Sequence, residues 1–354
     1  MQATSIAHQT YEKGRTEGPA GDQLRRQLHQ MWAEVAGGWA EYADHVDERS
    51  AKLTHTMLER AALAPGDRVL ELACGPGGAG LQAASRVAPD GEVVLSDIAA
   101  EMTAIASARA QELGLTNVIT RVLDLERIDE ADGAYDIVLC REGLMLVPDP
   151  ARAAREIRRV LRPGGRLALA VWGPRERNPW LGVMFDAISA QLGCPVPPAG
   201  IPGPFSLQDA DQLSSLLANA GLSDVEVSKT PVPLLAHSFE EWWTARCALA
   251  GPLTKILSSL TEDAAQAIRD RAHEGTKPHA TPAGLEFPGV ALIASAMRRE
   301  PYEQTTPTRE SPTPLAQICR SKSAPAKAHV CTGSTALAEG QKLGASAATF
   351  VGVS

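Results

Sequence analysis

The residues able to do chemistry cluster in one stretch, Arg68-Val69-Leu70-Glu71-Leu72-Ala73-Cys74-Gly75-Pro76-Gly77-Gly78-Ala79-Gly80, and at Asp97, twenty positions beyond Gly77. An apolar run rich in strand formers opens the stretch and reads as a buried parallel strand. It passes through a Gly/Pro-dense turn into the helical pattern Leu81–Val87. Glycines at such a turn let the backbone take positive φ and let a ligand approach closely. The helix that follows offers unpaired N–H groups at its N-terminus. The combination is that of a ligand loop, with a bare strand-to-helix turn as the plain alternative.

Two ligands compete for the loop. Gly75, Gly77 and Gly80 spell G-x-G-x-x-G, and Asp97 ends a second apolar run at the spacing of a dinucleotide fingerprint. The segment Glu71 to Gly77 also resembles the acid-x-Gly-x-Gly-x-Gly loop of class I S-adenosylmethionine-dependent methyltransferases, with Ala73 in the first glycine's place. Both families put a ribose-binding acid where Asp97 stands, so Asp97 does not separate them. Glu71 does. A carboxylate repels a nearby pyrophosphate and suits the ammonium of a methionine moiety.

The elements that must position these groups alternate regularly. From Asp22 to Ala62 the apolar residues recur at helical steps, with Gly37-Gly38 expected to break or kink the stretch. Trp32 is expected to pack against the sheet, whereas Trp39 and Tyr42, beyond the glycines, either pack there or line the cofactor mouth. Strands are expected at Glu92–Ser96, Val118–Leu123, Tyr135–Cys140 and Arg166–Trp172, and helices at Glu101–Leu113 and Pro150–Leu161. Such alternation predicts a parallel sheet with right-handed crossovers and a ligand at the carboxyl ends of the strands. Glu71, Asp97, Asp124 and Arg141 all fall at or just beyond strand ends. Further on, helices are expected at Trp180–Leu192, Leu207–Ala220, Phe239–Leu249 and Thr261–His273, and strands at Asp224–Lys229 and Gly289–Met297. The helical insertions, at about 175–215 and 237–285, predict a cap over the strand ends.

Composition narrows the function classes. The chain has 354 residues, 44% of them hydrophobic, with aromatics at 4% and a formal charge of −8. No Lys/Arg cluster is present, so nucleic-acid binding has no electrostatic footprint. Cys74, Cys140, Cys194, Cys247, Cys319 and Cys331 form no C-x-x-C pair, which suits a reducing cytoplasm. The first twenty residues lack an apolar signal core, and no run reaches the ~18 apolar residues of a membrane span. No acid cluster or His/Cys spacing calls for a metal.

The block Leu161-Arg162-Pro163-Gly164-Gly165-Arg166 strengthens the methyltransferase resemblance. An R-P-G-G turn before the fifth strand, about ninety residues past the glycine loop, is common in that family; it is also a Pro-Gly turn in its own right. With Trp32–Tyr42, the loop, Asp97 and Asp124, it resembles the ubiquinone/menaquinone-biosynthesis type of small-molecule methyltransferase. The resemblance implies S-adenosyl-L-methionine as cofactor, with the backbone of Ala73, Cys74, Gly75 and Gly77 around its methionine part and Glu71 near the ammonium. Asp97 would accept from both ribose hydroxyls, Ile98 and Met102 would lie against adenine, and Asp124 with the Leu125 amide would meet its polar edge. Strand-end turn formation and core packing are the plain alternatives for Asp124 and Met102.

Methyl transfer from a sulfonium needs alignment and exclusion of water, and a base only where the acceptor arrives protonated. His237, before the cap helix, is the expected base, with a plain surface role as the alternative. Arg141 is expected either to pair with an acceptor anion or the cofactor carboxylate, or to bridge Glu142 or another surface acid. The reading is an α/β, doubly wound, seven-stranded, mostly parallel Rossmann-like sheet with strand seven antiparallel. Residues 1–21 are expected to be a flexible lead-in, 22–300 the methyltransferase domain and 301–354, rich in Pro, Thr, Ser and Ala, a disordered tail. The expected acceptor is a small molecule with an O, N or C nucleophile. An NAD(P)-type oxidoreductase and a non-catalytic cofactor-binding protein are the alternatives.

Overall fold

The computed structural model describes residues 19–198 and 200–299; the expectations for 1–18 and for the tail 301–354, with Cys319 and Cys331, lie outside them. Three helices lead in: α1 (Pro19–Glu41), α2 (Ala43–Arg49) and α3 (Ala51–Ala61). The alternating part follows, as β1 (Arg68–Leu72), α4 (Gly78–Val87), β2 (Glu92–Asp97), α5 (Ala100–Glu112), β3 (Val118–Val122), β4 (Tyr135–Arg141), α6 (Pro150–Val160) and β5 (Leu161–Trp172). Then come α7 (Pro179–Leu192), α8 (Ala210–Asn219), β6 (Ser223–Pro231), β7 (Leu234–Ala236), α9 (Phe239–Leu249), α10 (Gly251–Ser258) and α11 (Glu262–Thr276). The strands β8 (Ala280–Thr281), β9 (Gly284–Phe287) and β10 (Val290–Met297) close the described chain.

The main sheet runs β3-β2-β1-β4-β5-β10-β6. β1 to β5 are parallel neighbours, and β10 lies antiparallel between β5 and β6. Strand order reverses at β1, flanked by β2 and β4, and the crevice outside the strands' carboxyl ends opens there. Leu70, Leu72, Leu95, Ile137 and Leu139 are fully buried, as central parallel strands covered on both faces require.

Three local expectations are corrected. Gly37-Gly38 does not break the first helix, because α1 runs through both; the break comes at Tyr42. Gly38 serves packing instead, since a Cβ there would lie 2.4 Å from the Ala248 carbonyl oxygen on α9. Trp32 packs not on the sheet but with Val35, Ala36 and Trp39 against Ala99 and Met102, over the start of α5. The R-P-G-G block is a bulge inside a strand rather than a turn before one. β5 pairs Leu161 with Tyr135 and resumes with Arg166 opposite Ile137, so residues 162–165 loop out of the ladder. Arg298 holds the bulge, accepting from the Gly164 N–H and donating to the Gly165 carbonyl.

Sequence patterns also missed the small sheet β7-β9-β8 and helix α10. With α7, α9 and α11 they form the cap region. The Asn178 side chain docks the start of α7 to the carbonyls of Gly173 and Val290, just beyond β5 and at the start of β10. The Trp242 indole N–H donates to the Trp180 carbonyl and ties α9 to α7.

Candidate functional site

The loop between β1 and α4 takes left-handed backbone at three alternate residues, with φ of 51° at Ala73, 52° at Gly75 and 91° at Gly77. Two of the three are glycines, for which this region costs nothing; Ala73 carries the strain that its Cβ imposes. The Cys74 N–H donates to the Ser96 carbonyl and the Gly77 N–H to the Cys74 carbonyl, fixing the loop over the end of β2. Burial pushes the Cys74 thiol well above its ordinary range, which holds it in the protonated form.

Glu71 is 1% exposed, and its Oε2 accepts the Gly80 N–H at 2.7 Å. Gly80 is what makes room, since a Cβ there would lie 2.5 Å from that oxygen and 2.2 Å from Leu95 Cδ2. The protein therefore places its own carboxylate at the helix N-terminus, where a dinucleotide would set its pyrophosphate. Burial raises the Glu71 carboxyl to about 7, against the pull of Arg141 and the Gly80 N–H.

Asp97 closes the site from the neighbouring strand. Its Oδ2 accepts from Gly75 N–H and its Oδ1 from Ala99 N–H, both at 3.0 Å, and the Ile98 N–H also stabilises the carboxylate. Burial raises this carboxyl, and the backbone N–H groups and His29 partly offset that. Ile98 is half-buried and Met102 buried, and Met102 is covered by Val35 and Ala36 of α1. Asp124 turns its Oδ1 back to the Glu126 N–H in a local turn, with Leu125 buried beside it. The plain turn reading thus accounts for one Asp124 oxygen.

Helix α1 reaches the site along its length. Arg25 donates to both oxygens of buried Glu126, at 2.8 and 3.2 Å. Trp39 comes within 3.9 Å of the Cβ position of Gly75, and its indole N–H donates to the Leu249 carbonyl. Trp39 therefore borders the loop. Tyr42 sets its ring edge-on to His45, with ring centres 6.2 Å apart.

Arg141 pairs with Asp47 at 3.1 Å and donates to Thr54 at 2.7 Å, so the acid it bridges is Asp47 and not Glu142. Asp47 also holds Arg109, whose guanidinium donates to the Pro76 carbonyl at 3.0 Å. Gly78 gives this network its space, for a Cβ there would lie 1.8 Å from Asp47 Oδ1 and 2.8 Å from Arg141 Nη2. His237 is not brought to the loop. It is exposed at the end of β7, with its backbone N–H donating to Glu241 and its backbone against Gly284.

Sequence reasoning missed His45, Arg49 and Arg246. His45 and Arg49 lie one helical turn apart on α2, and Arg246 meets them from α9; their electrostatic coupling depresses the His45 imidazole, after the larger effect of burial. Among the described residues no group of His, Cys, Asp and Glu could hold a metal ion, and no helix is long and apolar enough to cross a membrane.

Residues 63–179, the span from just before β1 to the start of α7, match a methyltransferase domain family. The ubiquinone/menaquinone biosynthesis C-methyltransferase of Ectopseudomonas mendocina is 35% identical over 133 residues, covering 37% of this chain and 52% of that one. An uncharacterized protein of Mycobacterium bovis is 30% identical over 200 residues, covering 56% of this chain and 68% of its own. The chain thus spans about half the length of several curated relatives and two thirds of another. A solved phosphoethanolamine N-methyltransferase 2 of Haemonchus contortus is 17% identical with a TM-score of 0.49, covering 78% of this chain and 61% of that one. The matched family segment holds the glycine loop, Glu71, Asp97 and the sheet's switch point, and by that match the chain belongs to the class I S-adenosylmethionine-dependent methyltransferases.

Proposed function

We propose that this protein transfers the methyl group of S-adenosylmethionine to an O, N or C nucleophile on a small-molecule acceptor. The observation that carries the reading is Glu71 at the N-terminus of α4, accepting from Gly80. With that N–H already satisfied by a carboxylate, an incoming pyrophosphate meets charge repulsion, whereas an ammonium meets attraction. This disfavours the oxidoreductase reading of the same glycines.

The residues present fit the cofactor. The left-handed backbone at Ala73, Gly75 and Gly77 curls the loop tightly; a Cβ at Gly77 would press on Ala106 and Leu95 at 3.1 Å, and at Gly75 the space opens towards Trp39, 3.9 Å away. Asp97, anchored by the N–H groups of Gly75 and Ala99, presents an acceptor-only carboxylate to a vicinal diol. When bound, the cofactor supplies a methyl on a positively charged sulfur, an electrophile already activated. The chain's own part is to orient and to exclude water. Trp39 and the face of α1 around Val35 and Ala36 cover the loop and Met102. Arg109 and Arg141, both held by Asp47, brace the loop from the α2 side.

Calorimetric titration with S-adenosylmethionine, S-adenosylhomocysteine and NAD tests the cofactor. Incubation of the protein with small-molecule extracts and methyl-labelled S-adenosylmethionine tests the transfer. Tight NAD binding with no S-adenosylhomocysteine binding overturns the proposal. Cofactor binding with no labelled product from any extract favours the non-catalytic binding role.

A further inference from the structure

Two buried arginines lie across the boundary between α2 and the cap, and the charge of one carboxylate, Glu142, acts on both. Arg49 sits with its guanidinium carbon 5.3 Å from the Trp172 ring centre and 5.4 Å from that of Trp180. Arg246 stacks over the same Trp180 at 5.2 Å and is 3% exposed. Glu142 reaches Arg49 at 3.7 Å, a loose pair; Arg246 has no ion pair among the described residues.

The hydrogen bonding is also incomplete. Arg49 Nε, Arg246 Nε, Glu142 Oε1 and Ser50 Oγ are all buried without a partner. Buried cations are normally matched by charge and by acceptors, and a group left short is costly. Here two guanidiniums and one carboxylate leave an excess positive charge beside unused donors. Burial and the neighbouring Arg49 depress Arg246 to about 9, in line with that excess.

We infer that Arg49 and Arg246 form an anion subsite that takes a carboxylate on the methyl acceptor, with Trp172 and Trp180 flanking its apolar body. The inference rests on the methyltransferase reading of the adjoining loop. Position favours the acceptor over the cofactor as the source of the anion. Arg109 and Arg141, the cations braced against the glycine loop, are already paired with Asp47. Arg246 and Trp180 instead belong to the cap helices. Glu142 marks the border between the two, because the next residue, Gly143, abuts Ala73 of the loop. Trp172 ends β5, so the subsite lies at the carboxyl edge of the sheet, beside the cofactor cradle and not within it.

The test uses the full-length protein saturated with S-adenosylhomocysteine, titrated with benzoate and with neutral benzamide as probes. Benzoate is expected to bind at least tenfold more tightly than benzamide. Arg246→Met should abolish that preference and leave S-adenosylhomocysteine affinity within twofold, while Arg246→Lys should keep part of the preference. Because the arginine is unpaired, Arg246→Met should melt no lower than the wild type in the absence of probe. Equal affinity for the two probes in the wild type overturns the inference. So does a tenfold loss of S-adenosylhomocysteine affinity in Arg246→Met, which assigns the cation to the cofactor's own carboxylate. Titrating the probes into ligand-free protein as well separates the two readings. Failure to bind S-adenosylhomocysteine overturns the cofactor assignment, and failure to prefer benzoate overturns the anion subsite.

Discussion

Ala73 and Gly143 are complementary: a Cβ added to Gly143 would lie 2.5 Å from the Cβ that Ala73 carries. The loop keeps a side chain at a left-handed position, and the segment after β4 gives up its own opposite. Gly143→Ala should therefore destabilise the fold by ~1–3 kcal/mol through overpacking, since Cys140 Sγ, 3.0 Å from the new methyl, blocks the other side. Ala73→Gly alone should change stability by less than about 1 kcal/mol, as relief of left-handed strain is offset by added chain entropy. The double variant should recover most of the Gly143→Ala loss. Chemical denaturation of the four proteins measures the coupling, and additive losses would show that the two residues do not meet.

A second prediction concerns Glu71, whose carboxyl is raised by burial from 4.5 to about 7. A carboxyl raised on folding contributes stability that is full below its unfolded pKa and is lost as pH rises through the folded value. The ligand-free wild type should thus lose up to ~3 kcal/mol relative to Glu71→Gln between about pH 4.5 and pH 8. Cofactor binding should move the other way, with Glu71→Gln weakening S-adenosylmethionine by roughly ten- to a hundredfold through loss of ~1.5–3 kcal/mol of charge-assisted bonding. Melting curves at pH 5 and pH 8, with calorimetry at pH 7.5, read both. A stability difference that does not change with pH would mean that Glu71 is already ionised in the folded protein.

The sheet and the loop were legible because their signals are local. Short apolar runs bounded by Gly, Pro and acids, alternating with helical patterns, read as parallel strands, and an acid such as Glu71 inside one of them stands out against its neighbours. Asp97 was legible by spacing from Gly77. The arginine pair was not, because Arg49 and Arg246 are almost two hundred positions apart and their residue type signals exposure. His45 and His237 look alike in sequence, each near a helix start; only the fold shows that His45 is partly buried beside Arg246 and Arg49 while His237 is exposed. The R-P-G-G bulge was misread as a turn since the pairing of Leu161 with Tyr135 depends on a strand elsewhere in the chain.

The third prediction follows from Gly38. A glycine in mid-helix costs about 1 kcal/mol of helix propensity relative to alanine, so Gly38→Ala would stabilise an isolated helix. In the protein the new methyl would lie 2.4 Å from the Ala248 carbonyl oxygen, a backbone atom that cannot swing aside. The clash should dominate, prising α1 from α9 and straining the Trp39–Leu249 hydrogen bond. Expected are a net loss of ~1–3 kcal/mol and several-fold weaker cofactor binding, because Trp39 borders Gly75. Gly37→Ala, with nothing within 4 Å of its added methyl, is the matched control and should be neutral or stabilising. Equal behaviour of the two variants in thermal melts would remove the close approach as the reason for Gly38.

The last prediction concerns His45, which burial and the neighbouring Arg246 and Arg49 hold below its ordinary value of 6.5. Glu241 on α9 and Glu48 on α2 pull in the opposite direction but do not prevail. A histidine lowered on folding takes up its proton more readily in the unfolded chain. It therefore adds stability above about pH 6.5 that is lost as pH falls, until the folded protein also protonates. Measured against His45→Gln, the wild type should lose melting temperature between pH 7 and pH 5, the variant lacking the titrating ring. Arg246→Met should raise the imidazole's pKa towards 6.5, because one of the two repelling cations is gone. Following the His45 ring protons by NMR across this range in wild type and Arg246→Met reads that shift directly. An imidazole titrating at 6.5 or above in the wild type would show that the guanidiniums do not face it, and would remove His45 from the acceptor side of the site.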